Sequence, residues 1–200
     1  MDKMDRTIRQ ARSLQTKFRA AEDNGEKYIE GYFAVFGSNY ELWPGATESI
    51  DPHAFDEALS DDIRALIDHE TRLVIGRNKA GTLDLKIDSR GLWGKPTINQ
   101  DDVDATNLYA RVKRGDVDQC SFGFDILDEE TEYREDGSIH WTIKKVKLHE
   151  VSVVTFPAYE DTSIAARKKD YDQIRARQSQ VWRTKMKERL LKNGTKTINA

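Results

Sequence analysis

The run Leu148-His149-Glu150-Val151-Ser152-Val153-Val154 sets a carboxylate inside an apolar strand. Its β-branched residues favour extended backbone, where successive side chains point to opposite faces. Strict alternation puts Leu148 and Val154 on the face of Glu150, and Val151 and Val153 on the other. Burying an ionised carboxyl without a partner is costly. A fold for this chain must therefore deliver a partner to Glu150, unless the glutamate lies on an exposed strand opposite a lysine. His149 points away from the face of Glu150, so at most one of the two reaches a given partner.

Gln119-Cys120-Ser121-Phe122-Gly123-Phe124-Asp125 is a second strand with two unlike faces. Cys120, Phe122, Phe124 and Ile126 make one face apolar; Gln119, Ser121 and Gly123 make the other small and polar. A glycine two residues beyond a serine leaves room for another backbone to approach the hydroxyl, as attack on a peptide requires. The residues alone also allow an ordinary serine on a solvated face. The apolar strand Ile63–Ile67 runs into Asp68-His69-Glu70. A histidine there is well placed for a site, and equally well placed as a surface histidine flanked by acids.

Ser121, His69 and Glu150 supply a nucleophile, a base and an orienting anion, the combination that acyl transfer uses. Their chain order, His then Ser then Glu, differs from the chymotrypsin, subtilisin and hydrolase-fold orders. Gly-x-Ser-x-Gly is absent because position 119 is Gln, which argues against a small-substrate esterase. No phosphate loop, His-Glu-x-x-His or zinc-like Cys/His spacing is present, so no cofactor or metal is expected.

Two hundred residues suit one domain with extensions. With 38% hydrophobic and 34% charged residues, no apolar run approaches the ~20 needed to cross a membrane. The N-terminus does not read as a signal peptide. The single cysteine, Cys120, excludes an internal disulfide and fits a reducing cytosol, where the sequon at Asn193 has no meaning. The net charge of −3 hides an asymmetry. Residues 165–200 hold eleven Lys and Arg against three Asp and Glu, and the remainder holds 21 against 32. The expected division is a charged, partly helical arm over 1–26, a body over 27–164, and a basic, marginally helical tail over 165–200. The tail has no nucleic-acid reading motif, so a protein-contacting or solvated helix is the preferred reading.

Within the body, strands are expected over Tyr28–Phe36, Ile63–Ile67, Leu73–Arg77, Leu83–Ile87 and around Gly91–Lys95. Gly37–Thr47 reads as a loop and Asp51–Leu59 as a short helix capped by Asp51. A helix from Asn99 or Asp101 to Arg114 carries Ala105, Leu108, Tyr109 and Val112 on one face and stops at Gly115. A polar hairpin tip follows over Asp128–Ser138.

Ile67-Asp68-His69, Ile75-Gly76-Arg77, Gly91-Leu92-Trp93, Lys113-Arg114-Gly115-Asp116-Val117, Ser121-Phe122-Gly123-Phe124 and Leu148 through Tyr159 occur in that order. Together with Tyr32–Phe36 and Ile50–Phe55, this series resembles the tailed-phage prohead maturation proteases over roughly residues 28–165. His53 stands where that family usually has glycine. The resemblance implies an α+β fold: a mixed, mostly antiparallel β-barrel of the herpesvirus assemblin type with surrounding helices. It implies a serine protease with Ser121 as nucleophile, His69 as base and Glu150 as third member. The herpesvirus relatives use a second histidine as third member, which keeps His149 and His140 in contention. The implied substrates are the scaffold, or scaffolding segment, of the major capsid protein, and the protease itself. The implied place is the immature prohead in the host cytoplasm. Homo-oligomerisation stays open, and the competing reading is a catalytically silent prohead component of the same fold.

Overall fold

Period-two patterning runs through much of residues 26–154, and the computed structural model folds most of that span into strands. It describes residues 10–15 and 18–156, then six helical positions, Ala176, Gln180, Arg183, Thr184, Met186 and Lys187. The chain divides into two units, Met1–Glu160 and Asp161–Ala200. The basic tail expected from residue 165 lies outside the described residues, those six positions excepted.

In the first unit the strands are β1 (Gln10–Gln15), β2 (Arg19–Asp23), β3 (Glu26–Val35), β4 (Tyr40–Trp43), β5 (Ala46–Ile50), β6 (Arg64–Ile67), β7 (Glu70–Arg77), β8 (Leu83–Ile87) and β9 (Gly91–Pro96). Helix α1 (Val103–Arg114) follows, then β10 (Gln119–Tyr133) and β11 (Ile139–Val154). β10 and β11 form a long antiparallel hairpin carrying both Ser121 and Glu150. β1 lies antiparallel on the other edge of β10. The far edge of β11 is shared between two parallel neighbours, β5 along Ile139–Ile143 and β6 along Glu150–Val153. β4 and β7 extend these to a seven-stranded sheet, while β2, β3, β9 and β8 make a four-stranded one.

Helix α1 begins where the Asp102 carboxylate accepts hydrogen bonds from the Asp104 and Ala105 amides. It ends at Gly115, whose φ of 87° suits a residue without Cβ. The face of Ala105, Leu108, Tyr109 and Val112 is buried as the spacing predicts, and the helix packs beside β2 and β3. The core joins that face to Phe33 and Leu92 of the smaller sheet and to Phe122, Phe124 and Val151 of the larger. Phe122 stacks on Phe124 at 4.7 Å and meets Phe55 edge-on at 5.7 Å. Full burial of each ring contributes about 1.5–3 kcal/mol.

The architecture is mostly β, with one α-helix among the described residues of this unit rather than several around a barrel. Three local expectations change. Gly37–Thr47 is mainly a hairpin, β4 turning through Pro44-Gly45 into β5, because Ala46, Glu48 and Ile50 bury alternate side chains. Asp51–Leu59 is a series of turns ended by a short 3-10 segment, Ala58–Ser60, with the Asp51 carboxylate accepting from the His53 amide. The strands of the β10–β11 hairpin persist to Tyr133 and from Ile139, so its tip is only residues 134–138.

The charged arm is the fourth change. It is extended rather than helical over residues 10–15 and 19–23, because β1 completes the edge of β10 and β2 pairs with β3. Arg12, opposite Phe122, turns inward and is only 6% exposed. Its Nε donates to Oε1 of the fully buried Glu48 at 2.5 Å, and Nη2 to Oε2 at 3.0 Å. Nη1 donates to the Ala11 carbonyl at 2.8 Å. β10 and β11 separate the two strands, about 14 Å in a flat sheet, so this fork ties β1 to β5 across the inner face of a curled one. Removing one member of such a pair strands a buried charge. Arg12→Met or Glu48→Gln should each cost about 3–5 kcal/mol in denaturant unfolding. The double variant Arg12→Met/Glu48→Leu should recover most of that loss.

Candidate active site

The register of β10 against β11 is regular from Gln119 opposite Val154 to Gly123 opposite Glu150, and then shifts. Phe124 faces Leu148, so His149 is an extra residue, a β-bulge. The bulge reverses the alternation of β11. Val151 and Val153 are core residues on one side of it, and Val146 and Leu148 on the other. Leu148 therefore does not share the face of Glu150, as unbroken alternation would require. The His149 ring reaches Asp125 instead, Nε2 to Oδ2 at 2.7 Å.

Glu150 is 2% exposed, and both of its oxygens are engaged. Oε1 lies 2.7 Å from His69 Nδ1, and Oε2 accepts from the Ser152 hydroxyl at 2.5 Å. Across the strand pair stands Gly123. A Cβ at that position would meet Oε1 at 2.2 Å, so the glycine makes room for the carboxylate rather than for an approaching backbone. The partner that Glu150 demands is delivered by the turn between β6 and β7, where His69 sits.

Ser121 faces Ser152 directly and is diagonal to Glu150 on the same face. Diagonal neighbours in an antiparallel pair lie about 7–8 Å apart, and the structure shows no hydrogen bond between His69 Nε2 and Ser121 Oγ. With Nδ1 turned to the carboxylate, the donor role falls there and the lone pair to Nε2. His69 Nε2 and Ser121 Oγ are both buried without a hydrogen-bond partner, alongside Gln119 Oε1. Leaving such atoms unsatisfied costs about 1–3 kcal/mol each, which a structure tolerates where chemistry needs them free. Ser121 is 0% exposed, so its face of β10 is covered rather than solvated.

His140 lies elsewhere, its ring held between Thr47 Oγ1 at 2.8 Å and Ser49 Oγ at 2.9 Å. His53 is exposed beside Asp56. The ring bonds of His140 and His149 go to these other groups, and the third companion of the His69–Glu150 pair is Ser152. Ser152 was signalled only by falling two residues beyond Glu150 on the same face. A cleft lined by Arg64, Leu66, Thr71, His149 and Glu150 opens beside the carboxylate. Among the described residues no group of three or more His, Cys, Asp or Glu side chains is placed to share a metal ion, and no helix is long and apolar enough to cross a membrane.

Known proteins match this chain along most of its length. The family model described as caudovirus prohead serine protease matches residues 14–177. The prohead protease of Enterobacteria phage HK97 is 29% identical over 158 residues, which is 77% of this chain. The chain thus spans 66% of that relative, just under two thirds. The solved structure of the bacteriophage T4 capsid assembly protease has a TM-score of 0.48 at 10% identity, covering 73% of this chain and 96% of that one. On the extent of the family match, this chain belongs to the caudovirus prohead serine proteases.

Proposed function

We propose that the chain is a serine endopeptidase in which Ser121 is the nucleophile, His69 the general base and Glu150 the group that orients His69. The observation that carries this reading is the buried 2.7 Å bond from His69 Nδ1 to Glu150 Oε1, which leaves Nε2 as the ring nitrogen available to a serine hydroxyl. Ser121 Oγ attacks the scissile carbonyl carbon while Nε2 accepts the hydroxyl proton. The Glu150 carboxylate stabilises the imidazolium that forms, and Ser152 keeps that carboxylate from rotating. His69 passes the proton to the departing amine as the C–N bond breaks. Water, activated by the same nitrogen, then releases the acyl group and restores Ser121.

The substrates in this reading are the scaffold, or scaffolding segment, of the major capsid protein inside the immature prohead, and the protease itself. Family membership and the relative named as a prohead protease support it. The two sheets are read as a variant of the assemblin barrel. The basic segment 165–200 serves to dock the enzyme on an acidic scaffold segment by charge complementarity.

Co-expression with the neighbouring capsid gene and intact-mass measurement of every product tests the reading. Wild-type chain should give discrete capsid or scaffold fragments. Ser121→Ala and His69→Ala should give none while folding normally, since members of such a set act as a unit. Unchanged masses with the wild type would mark a catalytically silent component, and full processing by Ser121→Ala would move the nucleophile elsewhere.

Two further substitutions separate the orienting group from its neighbours. Glu150→Gln should fold but lose about 10²–10⁴-fold in rate through the wrong imidazole tautomer, whereas His149→Ala, bonded only to Asp125, should keep most of it. Gly123→Ala should fall with Glu150→Gln, because its methyl group displaces Oε1.

A further inference from the structure

His69 occupies the second place of a two-residue turn, with Ile67 and Glu70 paired on either side. Asp68 and His69 both have left-handed backbone, at φ 47° and 61°. Turns of this hand suit the twist of a hairpin but favour Asn-Gly, and a histidine there costs about 1–2 kcal/mol. Something must hold it. Asp68 does so with three bonds to the end of β11. Its amide donates to the Val153 carbonyl at 3.0 Å. Its Oδ1 accepts from the Thr155 amide at 2.7 Å, and its Oδ2 from the Thr155 hydroxyl at 3.2 Å. The turn bearing the histidine is thereby pinned to the strand that bears Glu150.

We infer that Asp68 is the positioning residue for His69, a deduction that rests on the serine-protease reading above. Asp68 touches neither Ser121 nor Glu150. It acts by keeping an otherwise disfavoured turn in the one conformation that sets Nδ1 against Oε1. Residues in rare backbone regions persist only where their surroundings over-determine them, and the Thr155 contacts supply that constraint on the carboxyl side of β11.

Three variants test this. Asp68→Asn keeps an acceptor for the Thr155 amide and tolerates left-handed backbone. Asp68→Gly tolerates the backbone even better but removes both acceptors. Thr155→Pro leaves Asp68 intact and removes the amide donor. Labelling of Ser121 by a fluorophosphonate, in which the hydroxyl displaces fluoride from phosphorus as His69 takes the proton, gives kinact and KI separately. Asp68→Gly and Thr155→Pro should each lower kinact by about 10- to 100-fold with KI nearly unchanged, a loss of alignment rather than of binding. Asp68→Asn should stay close to wild type.

Independently of activity, NMR of the Ser121→Ala chain should show a downfield Nδ1 proton on His69. That signal should persist with Asp68→Asn and vanish with Asp68→Gly. Wild-type kinact in folded Asp68→Gly, or an unaltered Nδ1 proton, overturns the positioning role. An unlabelled wild type, or labelled Ser121→Ala, overturns the serine reading instead, while the NMR comparison still decides for or against Asp68.

Discussion

A carboxylate taken out of water must be met on every side, and the half of this sheet that holds Ser121 is arranged around meeting Glu150. The demand is local and severe, because an unpaired buried charge costs several kcal/mol after all relaxation (about the stability of a marginal domain). Three features of unrelated origin converge on it. A turn supplies the His69 ring, the same strand supplies the Ser152 hydroxyl, and the facing strand withholds a side chain at Gly123. The bulge at His149 is the fourth feature, since it lets a strand with apolar side chains in the core present a carboxylate and a hydroxyl on its other face.

That arrangement depends in turn on β11 being paired along its whole length. Its two parallel neighbours, β5 and β6, meet opposite ends of one edge, Ile139–Ile143 and Glu150–Val153, so the end bearing Glu150 is aligned by the strand that leads into the His69 turn. The other end is aligned by β5, which carries Glu48 and through it Arg12. Two buried acids thus divide the work. One fixes the sheet, and the other equips the site.

Much of this was legible in the residues. The alternation of Cys120, Phe122 and Phe124, the apolar face of α1, and the need of Glu150 for a partner each follow from side-chain chemistry, and the structure agrees with them. The His, Ser and Glu trio was nameable as chemistry and as a resemblance, yet spacing alone could not say that His69 and Glu150 touch. The bulge was not legible. Strand periodicity read along one chain does not reveal where its partner skips a residue, so unbroken alternation places Leu148 on the wrong face. Arg12 was hidden for a different reason. A charged segment near a terminus reads as solvated until its buried counter-ion, 36 residues away, is known. Gly123 was noticed, but its purpose belongs to the opposite strand.

The distances along the chain between these groups also set a timetable. His69 and Glu150 are 81 residues apart, and β1 must wait for β10 before its edge has a partner. At about 5–20 residues per second on the ribosome, the histidine is made several seconds before the carboxylate it bonds. A nascent chain therefore carries its hydroxyl and its imidazole for a time without the carboxylate. In the proposed reading, competence arrives only when the last strand of the body is in place.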